Sequence, residues 1–322
     1  MMSIREDVGE FCTMLEKSWK NEVNVPIEVR NVIIAGMGGS GIVSLIAKKI
    51  TEEDGNKIVT PWNGYGLPKW ADEECHLICV SYSGNTAETI SSAVQAEGKN
   101  ISWEAVTTGG ELNEFACDKK RKVIIIEKGH QPRAALPLLL VPVLMRLGIP
   151  DIDKQLEDSL NACKNIQEYQ KNGAPRGIAS RMIDKNVHIY GSGCGEVSAY
   201  RWKCQIEENA KQKVHWNRLP EFNHNEIEGW KDAGNNNFVV CLRDNDEEER
   251  MFKRWEHTQE LIWKDTDVFV AKSGTVGGAT TTLGKILELM HLGDWVSLEL
   301  ADKKNIDPDS VEIIEELKKR LE

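Results

Sequence analysis

The apolar residues of this chain fall in short continuous runs separated by longer periodic stretches. Runs such as "VIIA" (32–35) and "LICV" (77–80) are apolar at every position, as in strands buried on both faces. "VRNVIIAGMGGSGIVSLIAKKI" passes from strand through a glycine turn into an amphipathic helix, and "CHLICVSYSGNTAETISSAVQAEGK" repeats the form. "SWEAVTTGG" and "KKRKVIIIEKG" supply two more short apolar runs, and residues 3–22 read as a leading helix. "AALPLLLVPVLMRLG", begun after Pro132, is a helical apolar stretch. Strands alternating with helices predict an α/β fold with a parallel sheet covered on both faces.

The segment 151–176 is helical and polar, and "NGAPRG" breaks it. The pattern then restarts. "NVHIYGSGCGEVSAYRWKCQIEENAK" is again strand, glycine turn and helix. "NNNFVVCLRDND" and "DTDVFVAKSG" are further strands, and "TTLGKILELMHLGDWVSLELA" is a long helix. "NVIIAGMGGSG" (31–41) and "NVHIYGSGCGE" (186–196) are one element repeated at an offset of about 155 residues. That spacing is too long for a solenoid and predicts a duplicated domain. The expected organisation is a first domain over 1–150, a linker helix over 151–176 and a second domain over 177–322. Each would be a three-layer αβα sandwich.

Composition narrows the function. With 322 residues and 40% hydrophobic content the chain suits two globular domains, and no apolar run reaches membrane-spanning length. A formal net charge of −11 argues against a nucleic-acid surface, so any anionic ligand must be met by local positive potential. The eight cysteines have no framework spacing. Cys75 and Cys79 lack the second pair or histidine cluster of a zinc site, so reduced thiols in the cytoplasm are expected. The opening "MMSIREDVGEF" is acidic and lacks a signal-peptide core.

Two turns carry candidate binding chemistry. Gly36, Gly38 and Gly41 match G-x-G-x-x-G, but "KIVTPWNG" supplies no acidic residue for a ribose, and no Lys-Ser or Lys-Thr pair follows the glycines. A nicotinamide site and a Walker loop are thereby disfavoured. Tight packing and close backbone approach of another ligand remain, with Gly39 and Ser40 as contacts. In "SYSGNT", Ser81, Ser83 and Thr86 surround Gly84 at a strand-to-helix turn. Free N–H groups, the helix dipole and three hydroxyls there suit a phosphate monoester. A simple helix cap needs only one hydroxyl. The equivalent stretch of the second half is "VCLRDND", whose aspartates would repel an anion, so one composite site per chain is expected.

The pair "GMGGSG" and "SYSGNT" in tandem halves resembles the sugar isomerase (SIS) domain. With "QPRAALP", "CQIEENAK", "EFNHNEIEGW" and "DPDSVEIIEELKKRL", the chain resembles the bifunctional phosphoglucose/phosphomannose isomerases over nearly its whole length. The resemblance implies an aldose–ketose isomerase acting on glucose 6-phosphate and mannose 6-phosphate through an enediolate, without metal or other cofactor. It also implies a homodimer. A sugar-phosphate-binding protein without catalysis, or another SIS isomerase, is the alternative.

The resemblance further assigns roles. Glu208 is the base. Arg201, Gln205 and Glu208 share one helix face by spacing, with Glu207 turned about 100° away. His224, in a polar loop after Pro220, opens the ring and is contributed by the neighbouring subunit. Arg133, between Pro132 and the apolar helix, steadies the enediolate. Lys318 enters the site from the terminal helix, Lys319 being the choice if the alignment shifts by one. The family also uses a threonine in this segment, where the chain has Ser310.

Overall fold

The computed structural model describes residues 2–20, 25–53, 55 and 57–321, so positions 21 and 22 of the expected leading helix lie outside it. The chain folds as two compact units, Met1–Leu160 and Asn161–Glu322.

The first unit opens with two helices rather than one, α1 (Ile4–Gly9) and α2 (Phe11–Lys20). The break follows Gly9, a residue that weakens helix continuity. Ser3 and Glu6 form a reciprocal capping box at the start of α1. There follow β1 (Asn31–Ala35), α3 (Gly38–Glu53), β2 (Ile58–Trp62), β3 (Cys75–Ser81), α4 (Ala87–Gly98), β4 (Ser102–Thr107), α5 (Gly110–Asp118), β5 (Lys122–Ile125) and α6 (Leu136–Leu147). All pairings are parallel, in the order β2-β1-β3-β4-β5. The sequence did not reveal β2, which carries Pro61 and lies at the sheet edge, where a missing ladder donor is tolerated. β3 is buried at every position, as its unbroken apolar run requires. Buried Glu104 of β4 is met by Arg146 of α6 through Nε–Oε1 and Nη2–Oε2 bonds of 2.8 and 2.7 Å, beside His76 of β3.

α7 (Ile152–Lys171) runs through the division between the units. "NGAPRG" interrupts it by a two-residue turn only. Gly173 adopts φ +79°, and α8 (Ala174–Met182) starts at once, with Pro175 in its first turn, where the missing N–H costs nothing. The second unit continues with β6 (Asn186–Gly191), α9 (Cys194–Ala210), β7 (Val214–Arg218), β8 (Asn237–Arg243), α10 (Glu249–Ile262), β9 (Asp267–Lys272), α11 (Thr282–Lys303) and α12 (Glu312–Leu321). Its parallel order, β7-β6-β8-β9, repeats the first four positions of the other sheet. The polar loop expected after Pro220 is two 3-10 turns, Glu221–His224 and Glu226–Asp232, anchored by Phe222 and Trp230 in an aromatic cluster with Tyr190, Trp255 and Trp263.

Candidate active site

In the order β2-β1-β3, the chain leaves β1 and β3 in opposite directions, so a crevice opens between their carboxyl ends. Both turns singled out in the sequence lie there. Gly36 to Ser40 follow β1, and Ser81 to Thr86 close β3 and lead into α4.

The hydroxyl turn is built around buried Ser81. Its Oγ accepts from the Gly84 N–H at 3.1 Å and lies 2.8 Å from Thr86 Oγ1. One bond joins the two hydroxyls, so one of their two protons is left to donate to another acceptor. Thr86 is the N-cap residue of α4 but makes no side-chain cap bond, contrary to the simple capping role. Ser83 is exposed and accepts from the Asn85 N–H at 3.2 Å. Gly84 has φ +73°. The next turn, Thr107–Gly110, presses against it: Thr108 N–H donates to Tyr82 O, Leu112 N–H to Gly84 O and Glu111 N–H to Asn85 Oδ1.

The glycine turn joins this frame. Ser40 Oγ accepts from the Tyr82 N–H at 3.4 Å. A β-carbon on Gly39 would stand 3.0 Å from the Pro132 carbonyl oxygen and 3.1 Å from the Arg133 Cα, so α3 starts directly against the Arg133 segment. Arg133 is buried, and its Nη1 donates to Gln131 Oε1 at 3.5 Å. Gly39, Ser40, Ser81, Ser83, Thr86 and Arg133 therefore belong to one neighbourhood of the first unit. Tyr82, His130 and Asp7, which brace it, escaped sequence reasoning. Asp7 had left a signal: it falls on the apolar stripe Ile4, Val8, Phe11, where a carboxylate is out of place unless partnered.

The second unit holds Glu208, His224 and Lys318. On α9, Arg201 and Gln205 turn inward to Asp294 of α11, with Arg201 Nη2–Asp294 Oδ2 at 2.9 Å and Gln205 Nε2–Asp294 Oδ1 at 2.9 Å. Glu208, one turn further along that face, is half-buried. Glu207 is committed elsewhere, to Lys203 at 2.7 Å and to the Val214 N–H at 3.3 Å. Cys204 has its thiol pushed up by burial and by the nearby Glu208 and Glu207 carboxylates, against the opposing pull of Lys203. Lys211 Nζ donates to the Glu208 carbonyl at 2.6 Å and the Ser310 carbonyl at 2.5 Å, tying the segment before α12 to the end of α9. Lys318 and Lys319 lie exposed on α12, which has no buried residue.

His224 ends the first 3-10 turn and is exposed. Two residues on, Glu226 fixes the loop by accepting from Tyr190 OH, His215 Nε2 and Asn217 Nδ2 at 2.5, 2.9 and 2.7 Å. Burial works to raise the Glu226 carboxyl, but these bonds outweigh it and hold it below its ordinary value. The Glu226 bond raises His215 against burial. α9 runs back across the sheet from the carboxyl end of β6, so Glu208 lies at the edge where the strands begin. His224 follows the far end of β7. The two residues of one chain thus lie toward opposite ends of this sheet's strands, separated along the strand direction by about the 16 Å length of β7.

The second glycine turn differs from the first. Asp244 fills the start of α9, accepting from the Cys194 N–H at 3.0 Å and from Ser273 Oγ at 3.0 Å. The aspartate expected to repel an anion goes further and takes an anion's place. Among the described residues no group of three or more His, Cys, Asp or Glu could hold a metal ion, and no helix is long and apolar enough to cross a membrane.

Residues 171–321 match the family model described as the bacterial phospho-glucose isomerase C-terminal SIS domain. The chain is 35% identical to the bifunctional phosphoglucose/phosphomannose isomerase of Caldicellulosiruptor bescii, over 98% of each chain. It is 33% identical to that of Aquifex aeolicus, over 94% of each. Among solved structures, the C-terminal domain of glucosamine-fructose-6-phosphate aminotransferase from Francisella tularensis matches with a TM-score of 0.75, covering 95% of this chain and 98% of that one. At 12% identity this is a likeness of fold alone. Identity at that level along almost the whole length of both relatives means that this chain belongs to the bifunctional phosphoglucose/phosphomannose isomerase family.

Proposed function

We propose that the protein interconverts glucose 6-phosphate and mannose 6-phosphate with fructose 6-phosphate. The phosphate docks at Ser81, Ser83 and Thr86, with Gly39 and Ser40 alongside. The remaining hydroxyl proton of the Ser81–Thr86 pair and the N–H groups at the start of α4 meet its oxygens. Arg133 steadies the enediolate as charge develops. His224 passes a proton between ring oxygen and hydroxyl, and Glu208 moves the proton between C2 and C1. The two aldoses differ only at C2 and share one enediolate, so a pocket tolerant of both configurations serves both. Lys318 reaches the sugar from α12. Ser310 replaces the hydroxyl that the family draws from a threonine.

The observation that carries the binding half of this reading is the hydroxyl turn at the switch point of the first sheet. For the catalytic half, it is the separation of Glu208 and His224 toward opposite ends of one sheet's strands. A six-carbon sugar is too short to touch both, so we propose a homodimer in which each site takes His224 from the other chain. The exposed apolar side chains of α12, Ile313, Leu317 and Leu321, give that helix a face for such an assembly. Reduced thiols and family membership support a cytoplasmic enzyme.

The test is a coupled assay with each aldose phosphate, together with deuterium exchange at C2. Wild type is expected to turn over both, and Glu208→Gln to lose about 10²- to 10⁴-fold in both exchange and turnover. Mixing inactive Glu208→Gln and His224→Gln chains should restore activity in the heterodimers. No turnover of any sugar phosphate by wild type overturns the assignment.

A further inference from the structure

We propose that Asp7 is a positioning residue for Arg133. The proposal rests on the isomerase reading and adds a residue from the opposite end of the first unit's chain to the machinery.

Asp7 lies on α1 with no exposed surface. A carboxylate so buried is strongly disfavoured unless donors surround it. Its donors come from a single segment 123 residues away, the one that leads into Arg133. His130 Nδ1 faces Asp7 Oδ1 at 2.7 Å, and the Gln131 N–H donates to Asp7 Oδ2 at 2.6 Å. A carboxylate only accepts, so the bonding proton rides on His130 Nδ1. The segment is held on its other side too. His130 N–H donates to the Tyr82 hydroxyl at 3.0 Å, and that hydroxyl donates to the Glu127 carbonyl at 3.2 Å. Met2 N–H donates to the Gly129 carbonyl at 3.3 Å. Tyr82 belongs to the hydroxyl turn, and its own N–H binds Ser40.

The segment 127–131 is therefore clamped between the N-terminal helix and the hydroxyl turn, and Arg133 emerges two residues beyond the clamp. Gln131 carries both ties: its N–H is held by Asp7 and its Oε1 accepts from Arg133. Asp7 fixes the backbone from which the guanidinium is launched, while the phosphate hydroxyls are fixed separately through Ser81. Loss of Asp7 should therefore weaken charge stabilisation and spare phosphate binding. A displacement of about 1 Å at a positioned group costs on the order of 10²-fold in rate.

The experiment is a double-mutant cycle between Asp7→Ala and Arg133→Ala, read as kcat, KM and the inhibition constant of inorganic phosphate. Asp7→Ala is expected to lower kcat about 10- to 100-fold and to change the phosphate inhibition constant less than about threefold. In the Arg133→Ala background it should cost less than about twofold more. Multiplicative losses, an unchanged kcat, or a raised KM and phosphate constant at unchanged kcat would each overturn the proposal. Asp7→Asn keeps the shape and one acceptor oxygen. It should recover part of kcat, and it serves as the test if the alanine variant does not fold. Amide exchange at Gln131 supplies a reading that needs no substrate. If wild type turns over no sugar phosphate, the isomerase reading fails. Unchanged Gln131 exchange in folded Asp7→Ala, which has no acceptor for that N–H, shows separately that Asp7 does not hold the segment.

Discussion

Gly84 lies so close to Gly109 that a β-carbon on it would collide with the Gly109 carbonyl oxygen and stand 2.8 Å from Thr107 Oγ1. The hydroxyl turn is thus stacked on the turn after β4, and Gly84 needs its freedom twice, for φ +73° and for the contact. We expect Gly84→Ala to lose at least about 1 kcal/mol of stability from backbone strain alone, and to weaken competitive inhibition by phosphate by 10-fold or more. Thermal unfolding and phosphate competition measure the two effects. An alanine variant with wild-type phosphate affinity would detach the turn from binding.

Asp244 makes the opposite prediction for the second unit. Its carboxylate serves the first N–H of α9, so Asp244→Ala should cost about 1–2 kcal/mol, as the loss of a helix cap does. Emptying that start of α9 should let inorganic phosphate raise the melting temperature of the variant more than that of wild type. Equal shifts in the two proteins would show that no latent anion site exists there.

Glu207 is the control for Glu208. It is tied to Lys203 and the Val214 N–H and is part-exposed, so Glu207→Gln should cost no more than about 1 kcal/mol. Turnover should stay within about twofold, while Glu208→Gln loses about 10²-fold or more. Equal losses in the two variants would remove the distinction between the neighbours.

The His224 loop should respond to pH through His215 and Glu226. His215 is raised in the folded protein, so its contribution is full below its ordinary value of 6.5 and is lost as pH rises through the folded value. Glu226 is lowered, so its contribution is full above 4.5 and is lost as pH falls through the folded value. The loop is held best between about pH 4.5 and 6.5. Hydrogen exchange of residues 221–232 should be slowest there and should lose that dependence above pH 6.5 in His215→Gln. A wild-type profile in the variant would argue against the pair.

His76 sets an acid limit on the first unit. Burial holds it down to about 4, against the attraction of Glu104. The unfolded chain takes up a proton near 6.5, so stability is full above 6.5 and falls as pH drops toward 4, by about 3 kcal/mol in all. His76→Asn, placed to keep a bond to Ser102 in place of Nδ1, should flatten this part of the pH–stability curve. Chemical denaturation at pH 7 and pH 4.5 would show it, and an equal slope in both proteins would point to another group.

Most of the strands and helices, the two glycine turns and the hydroxyl turn were legible in the chain's local patterning. These are local: a buried parallel strand writes itself as a continuous apolar run, and a tight strand-to-helix turn demands glycine within a few residues. Edge strands β2 and β7 escaped because an edge buries less and tolerates Pro61 or alternating polar residues. The single leading helix became two at Gly9, and the break at "NGAPRG" shrank to one turn, because local punctuation fixes where a helix stops but not how soon the next begins. That Asp7 serves the Arg133 segment and that Asp244 fills the start of α9 emerged only from the folded chain. The fold also set Glu208 and His224 toward opposite ends of their sheet's strands. Each is a pairing of groups far apart in the chain. Burial and hydrogen-bond satisfaction select such partners, and these act only once the sheets have brought the segments together.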